Sequence, residues 1–430
     1  MATIRFPYAH VTPLEIPERN LLGVFSPPLT TSGQSEQEML ASAMAQPIGG
    51  ARLSEALRGK RSVLIVSDDH HRPTPVHAML PLVLDEITRA GIPAGSVEII
   101  MALGSHRLMS DQEIRDKLGS GIVDAFRVTN HEWTDPGNLY FAGHVPPGID
   151  VWVNKKMREF DFVIGLGQIM PMDVCGFTGG CNIIIPGLCG PKTSADFHWV
   201  RVGIPAKEVI GRRDNPIREA IDNSAMAAGL DAILNVVLDG EGRICGAVYG
   251  HPIEAHRRGV TRALEAHTVT LPRKADIVIA DGYPFDIEFW QVNKALDNAA
   301  LAVRDGGVVI IVSPCYEGLS VTHGEEILRF GYRSKQEILR LVEQGKFTHR
   351  VAAVHMIQVA EATIERDVTC ILVTDGIAPA VVRQVNLEYA PDPPTALSMA
   401  LRVVGDDAAA ITVLKRASET LPLIQEDPWN

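Results

Sequence analysis

Short runs of apolar residues alternate along the chain with segments whose apolar residues recur at helical spacing. The first clear run is Ser-Val-Leu-Ile-Val-Ser at residues 62–67, and apolar residues then recur every three or four positions from Val76 to Ile87. Such a run is typical of a strand buried on both faces, and such a spacing is typical of a helix. Similar runs predict strands at residues 96–103, 126–129, 160–166, 232–238, 275–280, 307–312 and 368–374.

Capping residues mark the ends of two predicted helices. Thr74 occupies the position of an N-cap, Pro75 follows at the first helical position, and Gly91 closes the segment. Ser110 and Glu113 have the spacing of a capping box, which predicts the start of a second helix. Strands that alternate with helices in this way indicate a mostly parallel sheet flanked by helices.

The length of 430 residues suggests two or three domains. A break at residues 271–274 precedes a fresh strand, so we predict an α/β protein with two domains, residues 1–270 and 271–410, each with a mostly parallel sheet flanked by helices. Residues 411–430 are expected to form a tail that packs back on the first domain, and residues 30–38 a polar surface linker. The active site is expected in the cleft between the domains, because ligands of such enzymes favour that crevice.

Charge and cysteine content narrow the class of protein. Forty Lys and Arg residues against 52 Asp and Glu residues give a net charge of -12, which disfavours nucleic acid and anionic membranes as partners. Six cysteines without a Cys-x-x-Cys pair indicate a reducing compartment. The start of the chain has no signal-peptide pattern and the apolar runs are short, so we expect a cytoplasmic protein. We separately expect a small carboxylate substrate and a chain that can form a homodimer.

Polar side chains follow the first two predicted strands. Arg72 suits a carboxylate or phosphate, because a guanidinium binds either group through two hydrogen bonds, and Asp69 could orient it or accept a substrate hydroxyl. His106 suits a general acid or base, because imidazole titrates near neutrality. The alternative is that these are solvated loop charges and a structural histidine.

Two later segments carry further candidates. Thr178, Gly179 and Gly180 could present successive backbone N–H groups to a phosphate, although a tight turn explains the same residues. Gln291 and Lys294 lie three positions apart and share one helical face, so both could contact one ligand, although a solvated helix start has the same pattern.

Five segments in the same order resemble the nickel-pincer lactate racemase family. They cover most of the chain and have the family's motifs: Asp-x-x-Arg-Pro-x-Pro at residues 69–75, Leu-Gly-x-His-Arg at 103–107, a Gly-Phe-Thr-Gly-Gly loop at 176–180 with Pro186-Gly187, a histidine at 198, and Gln-x-x-Lys at 291–294. The resemblance implies a racemase or epimerase of a small 2-hydroxy acid or sugar acid. In that family a nickel-pincer nucleotide accepts the substrate hydride, and two histidines move the hydroxyl proton.

Family roles can be carried over to matching positions only. The resemblance implies that His106 is one of the two bases, that His198 ligates nickel, and that Arg72 anchors substrate together with Gln291 and Lys294. Two positions, Met172 and Asn182, depart from the family pattern.

The chain has Met172 where the family has its second histidine, and Asn182 where the family has the lysine that tethers the cofactor. We therefore expect a non-covalently bound cofactor, held by residues 178–180, by Lys192 and by a His198–nickel bond. A nickel-independent hydro-lyase or a carboxylate-binding protein is the alternative interpretation.

Overall fold

The computed structural model describes residues 1–29 and 33–425. The strands of this part of the chain are β1 (Ala2–Ile4), β2 (Leu14–Ile16), β3 (Leu21–Phe25), β4 (Val63–Asp68), β5 (Val97–Ala102), β6 (Arg127–Asn130), β7 (Leu139–Val145), β8 (Ile149–Asn154), β9 (Phe162–Gln168), β10 (Pro171–Met172), β11 (Gly176–Phe177), β12 (Ala232–Leu238), β13 (Ile244–Gly250), β14 (Thr268–Leu271), β15 (Ala275–Asp281), β16 (Val303–Val312), β17 (Thr369–Val373), β18 (Glu388–Ala390), β19 (Ile411–Leu414) and β20 (Leu421–Ile424).

The α-helices of the same residues are α1 (Glu36–Ala45), α2 (Leu53–Ala56), α3 (Val76–Arg89), α4 (Asp111–Leu118), α5 (Ser120–Ala125), α6 (Lys156–Glu159), α7 (Pro191–Val200), α8 (Pro216–Ala227), α9 (Pro252–His267), α10 (Phe289–Ala302), α11 (Gly324–Phe330), α12 (Lys335–Glu343), α13 (Arg350–Ala362), α14 (Pro379–Gln384) and α15 (Pro393–Val404). Within the described ranges, every helix is too short or too polar to span a lipid bilayer.

Contacts divide the chain into two compact units. Unit 2 comprises residues 29–204 and 208–266, and unit 1 comprises residues 1–28, 205–207 and 267–430. The first 28 residues group with the C-terminal half because β3 pairs with β19. The domain ranges read from the sequence, which assign these residues to the first domain, stay a prediction.

The sheet of unit 2 has the strand order β13-β12-β9-β4-β5-β6, and all of its neighbours are parallel except β12 and β13. Val63 and Ile65 of β4 pack into one apolar core with α3, whereas Leu64 and Val66 pack into a second core on the opposite face. Burial on both faces explains why this strand is a continuous apolar run. The chain moves from β4 to β5 on one side and to β9 on the other, so β4 is the switch point of the sheet, where ligands of such folds bind.

The sheet of unit 1 has the order β18-β17-β16-β15-β19-β3 and is parallel throughout. Its strand β19 pairs with β15, and β20 pairs with β14 in a separate two-stranded sheet. Residues 411–425 of the predicted tail therefore lie in unit 1.

The predicted α/β class with two mostly parallel sheets flanked by helices is confirmed. Two local predictions differ from the structure. Thr74 does not cap α3, because its hydroxyl donates to Asp68 and the helix begins two residues later. Residues 30–32 of the predicted linker lie outside the described residues, and Ser35 caps α1 with a complete capping box.

Candidate active site

One carboxylate accepts hydrogen bonds from two imidazoles at the end of β4. Oδ2 of Asp69 lies 2.5 Å from Nδ1 of His106 and 3.1 Å from Nδ1 of His71, and the two rings are 4.3 Å apart. The amide of His71 donates to the other oxygen, Oδ1. Asp69 and His71 belong to the loop after β4, and His106 to the loop after β5. We call these three residues the Asp69–His71–His106 cluster.

The carboxylate of this cluster is ionised although it is buried. Burial raises its pKa, but the charges of His106 and His71 and their hydrogen bonds outweigh that effect and hold the pKa of Asp69 well below its usual range. A buried anion bonded to Nδ1 favours the imidazole tautomer with the proton on Nδ1. With Nδ1 bonded to Asp69, Nε2 is the atom of His106 that suits acid–base work, and the side chain remains 15% exposed.

The remaining charges of the β4 loop are arranged around the cluster. Asp68 pairs with Lys117, whose Nζ lies 2.9 Å from Oδ1 and which also donates to the carbonyl of Arg72 at 2.6 Å. The amide of Arg72 donates to the carbonyl of Asp69, and the side chain is half-buried. The structure thus positions Arg72 by its backbone, next to the buried carboxylate.

His198 lies on α7 in the same unit, close enough to His106 for the charge of one to affect the other. Its Nδ1 donates to the carbonyl of Ser194 at 2.6 Å, which leaves the lone pair of Nε2 for a ligand. Burial lowers the pKa of His198, and the charge of His106 lowers it further. A half-buried, neutral imidazole with a fixed tautomer is the form that binds a metal.

The glycine loop is not an open anion site. The amide of Thr178 donates to the carbonyl of Met170, and the amide of Gly180 donates to Asn235 Oδ1 at 2.7 Å. A side chain at Gly180 would collide with His256, and Gly179 has a φ of +77°. Two of the three amides already have internal acceptors, so a phosphate at this loop would rely on the Gly179 N–H, and the phosphate site at residues 178–180 stays a prediction.

Arg218 and His256 form a buried polar cluster behind this loop, and sequence reasoning missed both residues. Arg218, which is fully buried, donates to the carbonyls of Phe177 and Gly179 and to the Cys175 thiol at 3.3 Å. His256 Nε2 donates to the carbonyl of Thr178 at 2.9 Å. These contacts fix the loop from the inside. Arg218 follows an ordinary helix start at Asn215 and Pro216, so no local pattern indicates its role.

The two positions that depart from the family pattern contact the same thiol. The Sδ atom of Met172 lies 4.0 Å from Cys175 Sγ, and the side-chain amide of Asn182 lies 3.4 Å from it. Burial raises the pKa of Cys175, so this thiol is protonated near neutrality. Lys192 is exposed and pairs with Asp196 at 2.5 Å.

Gln291 and Lys294 lie on α10 in unit 1, and both are buried. Nζ of Lys294 donates to Oε1 of Gln291 at 2.6 Å, and it also lies 5.4 Å from the centre of the Phe285 ring. The two residues therefore do act as a pair on one helical face. Their burial excludes the alternative of a solvated helix start.

Both halves of the chain match the domain models of one protein family. Residues 9–209 match the lactate racemase N-terminal domain, and residues 271–418 match the lactate racemase C-terminal domain. The chain is 30% identical to lactate racemase of Thermoanaerobacterium thermosaccharolyticum over 424 residues, which are 95% of this chain and 96% of that protein. It is 30% identical to lactate racemase of Lactiplantibacillus plantarum over 385 residues, 88% of this chain and 89% of that protein.

Solved structures show the same fold. The lactate racemase apoprotein from T. thermosaccharolyticum superimposes with a TM-score of 0.86 at 28% identity, covering 99% of this chain and all of that one. A protein from Thermotoga maritima superimposes with a TM-score of 0.75 at 23% identity over 92% of this chain and 100% of its own, which supports the fold alone.

Proposed function

The chain belongs to the lactate racemase family, and on that premise we propose that it is an isomerase that racemises or epimerises a small 2-hydroxy acid or sugar acid. The observation that carries the proposal is the Asp69–His106 pair, a buried carboxylate 2.5 Å from an imidazole, in electrostatic range of His198. His106 suits proton transfer, and His198 suits a metal. Inversion by hydride transfer needs a base for the hydroxyl proton and an acceptor for the hydride, which a nickel cofactor held by His198 would supply.

His106 supplies the base. A hydride can leave the substrate carbon only if the hydroxyl proton leaves as well, because the product of that loss is a carbonyl. Nδ1 of His106 is bonded to Asp69, so the proton is taken at Nε2. The buried carboxylate then stabilises the imidazolium, as in other carboxylate–histidine pairs.

His198 fits the role of the nickel ligand. Its Nδ1 is bonded to Ser194, and burial favours its neutral form, so Nε2 can bind a transition metal. A nickel-pincer nucleotide, when bound, supplies the hydride acceptor. Asn182 has no amine for a covalent tether, so we propose non-covalent binding, with the Gly179 N–H and Lys192 as the contacts for its phosphate.

Arg72, Gln291 and Lys294 are the proposed anchors of the substrate. The guanidinium of Arg72 is half-buried and suits a carboxylate. Lys294 is oriented by its hydrogen bond to Gln291, and an ammonium group suits a carboxylate or hydroxyl. A small carboxylate is thus the proposed ligand, in a cytoplasmic enzyme that can form a homodimer.

A second candidate function is favoured by position 172. Met172 lies against the Cys175 thiol, which burial keeps protonated near neutrality, so neither of these two side chains replaces the second base. A hydro-lyase needs a carboxylate anchor and a group that takes the carbon-bound proton and returns a proton to the departing hydroxyl, roles that Arg72 and His106 suit without nickel. A carboxylate-binding protein without catalysis needs only the anchor.

The fate of the hydrogen on the substrate carbon distinguishes these functions. The full chain, co-produced with the enzymes that make the nickel-pincer nucleotide, is incubated in D2O with single enantiomers of lactate and of a panel of sugar acids. We expect inversion in which the substrate carbon keeps its original hydrogen, because a hydride returns without exchange with solvent. Deuterium incorporation with loss of water supports the hydro-lyase, and saturable binding without turnover supports the binding protein. His77→Gln, an exposed histidine, is the matched control for His106→Gln.

A further inference from the structure

The Asp69–His71–His106 cluster has a donor set that the proposed racemase chemistry does not require. That chemistry uses Asp69 and His106, and it gives no role to His71, whose side chain is 1% exposed and directs Nδ1 at the same oxygen. Two imidazole nitrogens and one carboxylate oxygen form the ligand set of many zinc and iron sites. The three donor atoms lie within 4.8 Å of one another.

We propose that the Asp69–His71–His106 cluster binds a divalent transition-metal ion of the zinc class, separate from the metal at His198. In a tetrahedral site with bonds of about 2.1 Å, neighbouring ligand atoms are about 3.4 Å apart. The distances from Asp69 Oδ2 are 3.1 Å to His71 and 2.5 Å to His106. Asp69 Oδ2 therefore needs to move by less than ~1 Å away from each histidine nitrogen to reach that spacing, and the two nitrogens, which lie within 4.8 Å of one another, need to reach the same spacing.

The charges and protons of the cluster also fit a cation. Asp69 is ionised, and the nearby ammonium of Lys117 is directed to Asp68, with Nζ 2.9 Å from its Oδ1. Each imidazole binds a metal through Nδ1 when its ring proton is on Nε2. The ion then replaces the two hydrogen bonds to Asp69 with three coordinate bonds.

Occupation of this site would change the role of His106. With Nδ1 on the metal and the proton on Nε2, His106 cannot take a hydroxyl proton. The metal and the base therefore exclude one another, so zinc is expected to inhibit any turnover that depends on His106. The site rests on the three side chains alone, and it stands whether or not the chain is a racemase.

Cobalt is the probe for the test, because Co²⁺ in a four-coordinate N/O site absorbs visible light and can be displaced by Zn²⁺. The full chain is stripped with a chelator and titrated with CoCl2, without nickel or nucleotide. We expect one saturable equivalent with a visible absorption band that Zn²⁺ abolishes. His71→Ala and Asp69→Asn are expected to weaken binding more than ~10-fold, because each removes a ligand.

His70→Ala is the matched control, because His70 is the adjacent residue and its Nε2 lies 3.6 Å from Glu113, outside the cluster. It is expected to bind cobalt as the wild type does, and so is His198→Ala. His71→Gln replaces His71→Ala if the latter does not fold by circular dichroism. The proposal is overturned if the wild type shows no saturable cobalt band, if the His71 and His70 variants bind equally, or if only His198→Ala loses the band.

Discussion

Nδ1 of His106 and Oδ2 of Asp69 are separated by 2.5 Å, although the two residues are 37 positions apart in the chain and lie in different loops. The pair is placed by the parallel neighbours β4 and β5, whose carboxyl ends lie side by side. Because the sheet rather than the loops brings the two side chains together, the pair is rigid enough to orient a base.

Asp69→Asn is expected to lower kcat by ~10²- to 10⁴-fold, the usual cost of losing a positioned acid or base. A neutral amide cannot stabilise the imidazolium of His106, and it does not select the tautomer. Steady-state kinetics on the best substrate from the D2O panel measure the effect. Asp68→Asn is the control, since Asp68 is the adjacent carboxylate and pairs with Lys117. Equal losses in both variants would assign Asp69 a structural role only.

Buried histidines are expected to make folding depend on pH. His131 is fully buried, its Nε2 donates to the carbonyl of Cys189, and its Nδ1 accepts from Asn154, so the folded state requires the neutral ring. Burial lowers the pKa of His131 to about 4. In the unfolded chain the imidazole of His131 has an ordinary pKa of ~6.5, so as pH falls it binds a proton at a higher pH than in the folded protein. This contribution to stability is present above pH ~6.5 and is lost as pH falls toward ~4.

Denaturant unfolding of the wild type and His131→Gln at several pH values tests that sign. Between pH ~6.5 and ~4 the wild type is expected to lose stability more steeply than the variant, by up to ~1.4 kcal/mol per pH unit. His77→Gln, at an exposed position, is expected to leave the slope unchanged. Parallel curves for the wild type and His131→Gln would contradict the assignment.

The sequence predicts where the strands of unit 2 end better than it predicts which side chains of that unit contact one another. Apolar runs mark strands because a strand buried on both faces needs apolar residues throughout, and the polar residues after β4 and β5 then indicate the site. His71 could not be identified in this way. Its spacing from Asp69 in a loop has no fixed geometry, so only the fold shows that both histidines bond one carboxylate.

The sequence also could not predict which distant strands pair, or that amides of the glycine loop have acceptors inside the protein. β3 lies beside β19, nearly 400 residues away, and both are short strands that pair only because the sheet of unit 1 has an edge for them. The amide of Gly180 is occupied by Asn235, which lies 55 residues further along the chain. A glycine-rich turn predicts available N–H groups, whereas a distant side chain decides whether they are available.

Arg72→Ala is expected to weaken the binding of lactate by ~10-fold or more while leaving the melting temperature unchanged. A hydrogen bond to a charged group contributes ~1.5–3 kcal/mol, whereas a half-exposed loop arginine adds little to stability. Isothermal titration and a thermal melt measure the two effects. Arg89→Ala is the control, because Arg89 is an exposed arginine that pairs with Glu86 on α3. Unchanged lactate affinity in Arg72→Ala would remove this residue from the anchor role.

Intact-mass measurement of the denatured wild type is expected to show the bare polypeptide, even after co-production with the cofactor-making enzymes. Asn182 has no amine, and the side-chain amide already contacts Cys175. Nickel is also expected to be lost on denaturation, because His198 is the only protein ligand proposed for it. A mass increase equal to one nucleotide on the denatured chain would show that another residue supplies the tether.

The double variant Met172→His, Asn182→Lys is expected to supply both the second base and the covalent tether. The two single variants separate these effects. Both positions are half-buried, so each accepts a longer or more polar side chain without opening the core. Asn182→Lys alone is expected to give the covalent adduct by mass but little gain in turnover, because the second base is still absent. Met172→His alone, or with Asn182→Lys, is expected to raise racemisation by ~10²- to 10⁴-fold, the contribution of a positioned base. If the double variant carries the adduct and nickel but racemisation stays at background, the arrangement around Asp69 and His106 serves another reaction, and the hydro-lyase becomes the better account of the chain.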